Sequence, residues 1–253
     1  MNPAFSVVVF TTAAGAGQGL VVALAIALLT GVPMTPSFVR ASLFVAIVLL
    51  VIGLASSFLH LGRPLRAWRA ATMWRTSWLS REVIVLPAFI GLVGVWWLAA
   101  RQPGSMPARF VLPLAAIAVA ALLWYCTAMI YACLRFIEEW AQPLTVVNFF
   151  LLGLSSGLVL ACALAALAGE GRALAAALPA ALVATVVAGA SRVAALRRNA
   201  ALRHRSTPWK QLQDVFSMIS TSWVAGKSFR YSPYTVRWAR WFRSMWSSAT
   251  TAS

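Results

Sequence analysis

The chain has 253 residues, of which 61% are hydrophobic and only 10% are charged, and its mean hydropathy is +0.82. Soluble domains carry roughly a quarter charged residues, so this composition excludes an ordinary soluble protein and indicates a polytopic protein of the lipid bilayer. The net charge of +16 comes from arginines between and after the apolar runs. That placement is typical of topology signals, and we expect no nucleic-acid partner.

The first predicted span covers about residues 5–31 and contains the stretch GAGQG. Its start has no basic n-region and no obvious cleavage site, so we expect no removed signal peptide. Two small-x-x-x-small pairs in this span favour close helix packing. The pairs are Ala13 with Gly17 and Gly15 with Gly19. Gln18 is a polar group within hydrocarbon and needs a partner, either another helix or a bound ligand.

The second and third predicted spans, about 38–61 and 81–100, are joined by a turn rich in arginine and tryptophan. The string HLGRP predicts a helix stop, Ser80 is the predicted N-cap of the third span, and Glu82 falls in its first turn. Because the connecting turn is short, His60 and Glu82 are expected on the same membrane face, although 22 positions separate them.

Three further spans are predicted at about 110–134, 145–168 and 173–193. The sequence therefore predicts an all-α integral membrane protein with about six transmembrane helices in a polytopic domain over 1–193. The remaining segment, 194–253, is a basic tail with several tryptophans and no long apolar run, as expected of an interfacial or disordered segment.

Basic residues predict the orientation of these spans. Seventeen of the 21 belong to the face that carries the N-terminus, the turn at 62–80 and the tail, and four belong to the other face. The positive-inside rule places the more basic face in the cytoplasm.

Histidines and cysteines limit the cofactors. The two histidines, His60 and His204, both lie outside the span interiors, so we expect no haem ligation by histidine. The three cysteines fall in apolar runs without a C-x-x-C pair and are expected to pack in the core, and we expect no metal site in this chain. They are Cys126, Cys133 and Cys162.

A quinone site needs only an apolar slot near the interface with polar groups that reach two ring oxygens. His60 and Glu82 are candidates for accepting hydrogen bonds and protons there. Arg63 and Arg81 offer donors for the quinone oxygens, and Trp78 is a candidate wall of the slot.

Simpler interpretations stay open. His60 can bond the last carbonyls of its helix, and the arginines and tryptophans can serve as topology signals and an aromatic belt. Glu82 can cap its helix or form an ion pair. The candidate ion-pair partners are Arg69, Arg75 and Arg81. A small transporter or channel and a non-redox scaffold are the alternative functions, although no span centre carries a charge and no paired helix interruption is visible.

The segment FLHLGRPLRAWRAATMWRTSWLSRE resembles the signature of the dimethyl sulfoxide reductase membrane-anchor family, a helix-ending H-L-G-x-P followed by S-W-L-S-R-E. GAGQG resembles the N-terminal pattern of the family, and the likeness covers about residues 8–90. The resemblance implies a non-haem anchor subunit in the bacterial inner membrane. It would bind an iron–sulfur electron-transfer subunit and a molybdopterin catalytic subunit.

The resemblance also implies that His60 and Glu82 take part in quinol oxidation, with menaquinone or ubiquinone as the quinone. The chain would host this half-reaction, whereas substrate chemistry would take place on its partners. The arginine-rich turn is similar to that of sulfite dehydrogenase-type members, which would deliver electrons to quinone. A typical anchor of the family has about eight spans, in contrast to the six predicted here.

Overall fold

A computed structural model describes residues 5–59, 71–102, 106–134 and 137–202, and every regular element in these ranges is helical. The six long helices are α1 (Phe5–Leu29), α2 (Pro36–Leu59), α3 (Trp78–Ala99), α4 (Leu112–Ala132), α5 (Pro143–Leu167) and α6 (Gly171–Ala201). A π-helical turn, Pro107–Val111, leads directly into α4. Each long helix, α4 together with that turn, is long and apolar enough to cross a bilayer, which confirms the prediction of six spans.

The sixth helix continues eight residues past the predicted end of its span at residue 193. A helix of 31 residues is about 47 Å long, whereas the hydrocarbon layer is about 30 Å thick. We therefore expect the basic end of α6, with Arg192, Arg197 and Arg198, to extend beyond the apolar layer. The tail from residue 203 lies outside the described residues.

Left-handed glycines end two of the helices. Gly169 follows α5 with φ of 71°, and its N–H donates to the carbonyl of Ala166 (3.3 Å). The N–H of Glu170 donates to the carbonyl of Ala165 (2.9 Å), which completes a Schellman motif. Gly31 follows α1 with φ of 78° and forms the same kind of turn. Both turns lie on the same membrane face, opposite the N-terminus.

Helix α1 packs against α2, α4 and α5 and is the most buried of the six spans. It crosses α5 where Gly19 meets Gly157, so closely that a Cβ on either glycine would overlap the backbone of the other helix. Gly17 faces α2, and a Cβ there would lie 3.1 Å from a side-chain carbon of Leu50. The predicted close approach is therefore confirmed for Gly17 and Gly19. Gly15 differs, because no atom lies within 4 Å of its Cβ position.

The chain alternates between two membrane faces. The face where α1, α3 and α5 begin and α2, α4 and α6 end is called here the N-terminal face. On the opposite face, Glu170 accepts hydrogen bonds from the backbone N–H of Thr35 (3.1 Å) and from its hydroxyl. This contact joins the α1–α2 loop to the α5–α6 turn.

Candidate functional site

Glu82 lies in the interior of the helix bundle and is only 5% exposed. Helix α3 begins at Trp78, three residues before the predicted start, because the side chain of Ser77 accepts a hydrogen bond from the backbone N–H of Ser80 (3.4 Å). The prediction of Ser80 as N-cap is therefore wrong, and Ser80 is a buried residue within the helix. Glu82 follows the first turn of α3, which excludes a capping role for its side chain.

The hydroxyl of Thr127 on α4 donates a hydrogen bond to the Glu82 carboxylate. The same oxygen lies 3.0 Å from the carbonyl of Leu123, one turn earlier in α4. A hydroxyl has one proton to donate but can also accept. When Glu82 is ionised, Thr127 can donate to it. When Glu82 is protonated, it can donate to Thr127, and Thr127 can then donate to Leu123. The Glu82 carboxyl group can therefore be hydrogen-bonded to Thr127 in both its ionised and its protonated state.

Arg81 does not serve as the partner of Glu82. Its Nε donates to the carbonyl of Trp74 and its Nη2 to the carbonyl of Arg75, both at 3.0 Å. Its guanidinium lies over the Trp78 ring, 4.1 Å from the ring centroid. Through these contacts, Arg81 stabilises the packing of the 71–77 turn against the start of α3.

Trp78 also makes an edge-to-face contact with Tyr125 of α4, with ring centroids 5.4 Å apart. The structure thus brings Arg81 and Trp78 together beside the 71–77 turn. His60 and Arg63 lie outside the described residues, and their predicted roles stay predictions.

A crevice of about 710 Å³ lies between α1, α4, α5 and the end of α6, in the half of the bundle nearest the N-terminal face. Small-molecule sites in proteins typically have volumes of about 300–1,000 Å³. Thr127 borders this crevice, and its hydroxyl is hydrogen-bonded to Glu82. Aromatic residues form much of the apolar wall, including Phe10, Tyr131 and Phe149. The rings of Tyr131 and Phe149 stack with centroids 5.5 Å apart.

Four residues of the crevice lining each have one buried polar atom without a hydrogen-bond partner within the described part of the chain. These atoms are Gln18 Oε1, Trp124 Nε1, Gln142 Oε1 and Asn148 Oδ1. Each of these atoms has almost no accessible surface, so it faces packed protein rather than the open space of the crevice.

Gln18 is predicted to bond either another helix or a ligand, and both roles stay predictions. Its side-chain oxygen makes no hydrogen bond to another helix, and the residue is 4% exposed at the crevice wall. The open space above Gly15, one turn before it, belongs to the same crevice.

Near the N-terminal face, the crevice is bordered by contacts between α6 and the turn at 137–142. Gln142 Nε2 donates to the carbonyl of Glu139 (2.9 Å) and to Asn199 Oδ1 (3.3 Å). Arg198 donates to the carbonyl of Glu138 (3.2 Å). The extension of α6 beyond its predicted end thus supplies part of the crevice wall.

Prediction from the sequence did not find Thr127, Trp124, Gln142 and Asn148. Thr127 and Asn148 are polar residues within predicted spans, the same signal that identified Gln18. Gln142 precedes the proline that begins α5. No local pattern indicates that these residues share one crevice, because they meet only when α1, α4 and α5 pack together.

The amino-acid sequence of the chain is similar to those of known proteins. The chain matches the family model described as DMSO reductase anchor subunit (DmsC) over residues 1–224. It is 46% identical over 230 residues to the C subunit of sulfite dehydrogenase from Allochromatium vinosum, and the match spans 82% of this chain and 68% of that protein.

Two further relatives are more distant. The C component of the anaerobic dimethyl sulfoxide reductase of Haemophilus influenzae is 31% identical over 51% of this chain and 46% of its own length. Its counterpart in Escherichia coli is 30% identical over 64% of this chain and 57% of its own length. The chain therefore spans about half the length of these two relatives. No solved structure matches it significantly.

Proposed function

Because the chain belongs to the DMSO reductase anchor subunit (DmsC) family, we propose that it anchors a multi-subunit oxidoreductase of the dimethyl sulfoxide reductase or sulfite dehydrogenase type. In this proposal it exchanges electrons between menaquinol or ubiquinone and a partner iron–sulfur subunit, and a molybdopterin subunit acts on the substrate. The membrane is the bacterial inner membrane. The excess of arginine on the N-terminal face supports a cytoplasmic position for that face and for the docked partners.

The main support for the quinone-linked part of this proposal is the Glu82 carboxyl group. It is buried and hydrogen-bonded to Thr127, which lies at the wall of a crevice. Oxidation of one quinol releases two electrons, which leave for the clusters of the partner, and two protons, which need acceptors on this chain. The Thr127 hydroxyl can take up one proton while it passes its own to Glu82. His60 is the proposed acceptor of the second proton. Quinone reduction uses the same groups in the opposite direction.

Arg81 has a positioning role in this proposal. It holds the 71–77 turn through two backbone carbonyls, and that turn continues from the segment that carries His60. Arg63 and Trp78 stay predicted contacts of the quinone. Whether they contact it depends on the position of the quinone ring.

Replacing Glu82 by glutamine tests the proposal. The variant Glu82→Gln keeps the size of the side chain and its capacity for hydrogen bonding but removes the proton acceptor. The complex is assembled with its partner subunits in membranes. We expect the quinol-linked rate to fall by about 10²-fold, the lower range for loss of a general base. The rate with a soluble viologen dye, which bypasses the membrane subunit, should not change.

Glu138→Gln is the matched control, because it makes the same chemical change at an exposed carboxyl group on the same membrane face. Normal quinol-linked turnover in both Glu82→Gln and His60→Arg would contradict the assigned proton chemistry. Purified partners without iron–sulfur absorbance would contradict the oxidoreductase assignment and favour a scaffold or transporter.

A further inference from the structure

Two arginines contact one tryptophan on the membrane face opposite the N-terminal face. Arg40 lies near the start of α2, and Arg101 follows the end of α3 by two residues. Their guanidinium carbons lie 5.6 Å and 5.4 Å from the centroid of the Trp97 ring. Both distances fall within the range of cation–π contacts. The ring therefore brings together two positive charges that come from two different helices.

The donors of these two guanidinium groups are available to a ligand. Within the described ranges, neither Arg40 nor Arg101 forms a hydrogen bond or an ion pair. Arg81 differs, because it lies over the Trp78 ring but also donates to two backbone carbonyls. Arg101 is exposed, and Arg40 is half-buried with only its Nε among the buried unpartnered atoms of the described residues. The terminal nitrogens of Arg40 thus remain accessible as donors.

The same face carries an excess of positive charge. Of the four glutamates in the described residues, Glu170 is the one on this face, and it accepts hydrogen bonds from Thr35 rather than from an arginine. Arg109 and Arg172 add two further positive charges to the face. Anionic groups at a membrane surface are attracted by such an excess.

An apolar surface continues from the two arginines into the membrane. Phe44, one turn deeper in α2 than Arg40, contacts the Trp97 ring with centroids 6.3 Å apart. Phe44 and Leu98 are each 53% exposed, so in a bilayer they face lipid. Tryptophan is itself enriched at the boundary between headgroups and hydrocarbon. A phospholipid has the matching order of groups, a phosphate at the surface and acyl chains below it, whereas a soluble anion would use only the charged part.

We propose that Arg40, Trp97 and Arg101 bind the headgroup phosphate of an anionic phospholipid. The two guanidinium groups donate hydrogen bonds to the phosphate oxygens, a contact for which the planar donor geometry of arginine is suited. The Trp97 ring positions both guanidinium groups, and Phe44 contacts an acyl chain. The bound lipid joins the start of α2 to the end of α3. This site is independent of the quinone-linked function.

Photolabelling distinguishes this site from the arginines of the N-terminal face, because mass spectrometry identifies the labelled peptides. The full chain is reconstituted in phosphatidylcholine vesicles that contain a trace of a diazirine analogue of either phosphatidylglycerol or phosphatidylcholine. We expect the phosphatidylglycerol analogue to label the start of α2 and the end of α3 at least tenfold more strongly. Equal labelling by the two analogues would overturn the proposal. Loss of the label on addition of millimolar inorganic phosphate would also overturn it, in favour of a soluble phosphate.

Charge-removing variants test the two arginines. Each arginine near a membrane surface contributes about a fivefold preference for anionic lipid, so the double variant Arg40→Gln, Arg101→Gln should reduce labelling about 25-fold. Arg172→Gln is the matched control, because it makes the same change at an exposed arginine of the same face without a ring contact in the described residues. Labelling of the double variant equal to that of this control would refute the assignment.

A second double variant guards against misfolding. Arg40→Lys, Arg101→Lys keeps both positive charges and should retain most of the labelling, so a loss in the glutamine variant then reports charge rather than damage to the helices. If the glutamine variant cannot be reconstituted, the comparison of the two lipid analogues on the lysine variant decides. Equal labelling of that variant by both analogues would contradict the proposal.

Discussion

The crossing of α1 and α5 forms one wall of the crevice, and Gly157→Ala tests whether the two helices meet as the structure shows. A Cβ on Gly19 would lie 2.9 Å from the Cα of Gly157, and a Cβ on Gly157 would overlap the backbone of Gly19. Carbon atoms in ordinary contact are about 3.5–4.0 Å apart. A Cβ on Gly157 would lie 1.9 Å from the carbonyl carbon of Gly19, so the added methyl group must push the helices apart by roughly 1.6–2.1 Å.

The expected loss of stability follows from two opposing effects. Overpacking costs about 1–3 kcal/mol, and we expect the upper end because the opposing atoms are backbone and cannot change rotamer. Replacing glycine by alanine within a helix gains about 1 kcal/mol. The net loss for Gly157→Ala is therefore about 2 kcal/mol. Gly91→Ala has only the favourable effect, because its Cβ enters open space.

Thermal unfolding of the chain in detergent, followed by tryptophan fluorescence, measures the difference. A loss of about 2 kcal/mol corresponds to a decrease in Tm of about 4–8 °C for a domain of this size. We expect Gly91→Ala to melt at or above the temperature of the unchanged chain. If Gly157→Ala were as heat-resistant as Gly91→Ala, the backbones of α1 and α5 could not be in contact at this crossing.

Two further predictions concern single hydroxyl groups. Thr127→Val keeps the shape of the side chain but removes the hydrogen bond to Glu82, and a lost bond to a charged group of about 1.5–3 kcal/mol corresponds to at least a tenfold lower quinol-linked rate. Thr127→Ser should retain most of the rate, and equal rates in the two variants would show that the hydroxyl is not used. Thr35→Ala removes both the α2 cap and a partner of Glu170, so thermal unfolding should show a loss of about 1–2 kcal/mol. Thr35→Ser should restore most of that loss, and equal stability of the two variants would argue against the cap.

The six helices were predictable from the sequence because the length and polarity of a span depend on the bilayer rather than on tertiary packing. The predicted helix ends were wrong where they depend on capping or lie outside the hydrocarbon layer. Helix α3 starts early because Ser77 rather than Ser80 caps it. Helix α6 continues to Ala201 because arginines outside the hydrocarbon layer are compatible with a helix, so an apolar run marks the end of the span but not of the helix.

The site was only partly predictable, for a different reason. Glu82 and Gln18 stand out as rare polar residues at apolar positions, and the structure buries both. Thr127 is an ordinary residue in a helix, since threonine can bond its own backbone. Its importance depends on the rotation of α4 between α3 and α1, which no local pattern specifies. The sequence also separates Thr127 from Glu82 by 45 positions.

Electrostatics can explain why the Glu82 carboxyl group lies next to the crevice lining rather than within it. A carboxylate placed directly in the crevice wall would be an unpaired buried charge, which is costly and would favour cations over a neutral ring. Glu82 on α3 instead contacts α4 through the hydroxyl of Thr127, a residue of the crevice lining. The crevice thereby keeps a neutral hydrogen-bonding surface, while a proton needs only one relay to reach a basic group. In the proposed function, one hydroxyl separates ligand binding from proton acceptance, and both can then operate within the apolar layer.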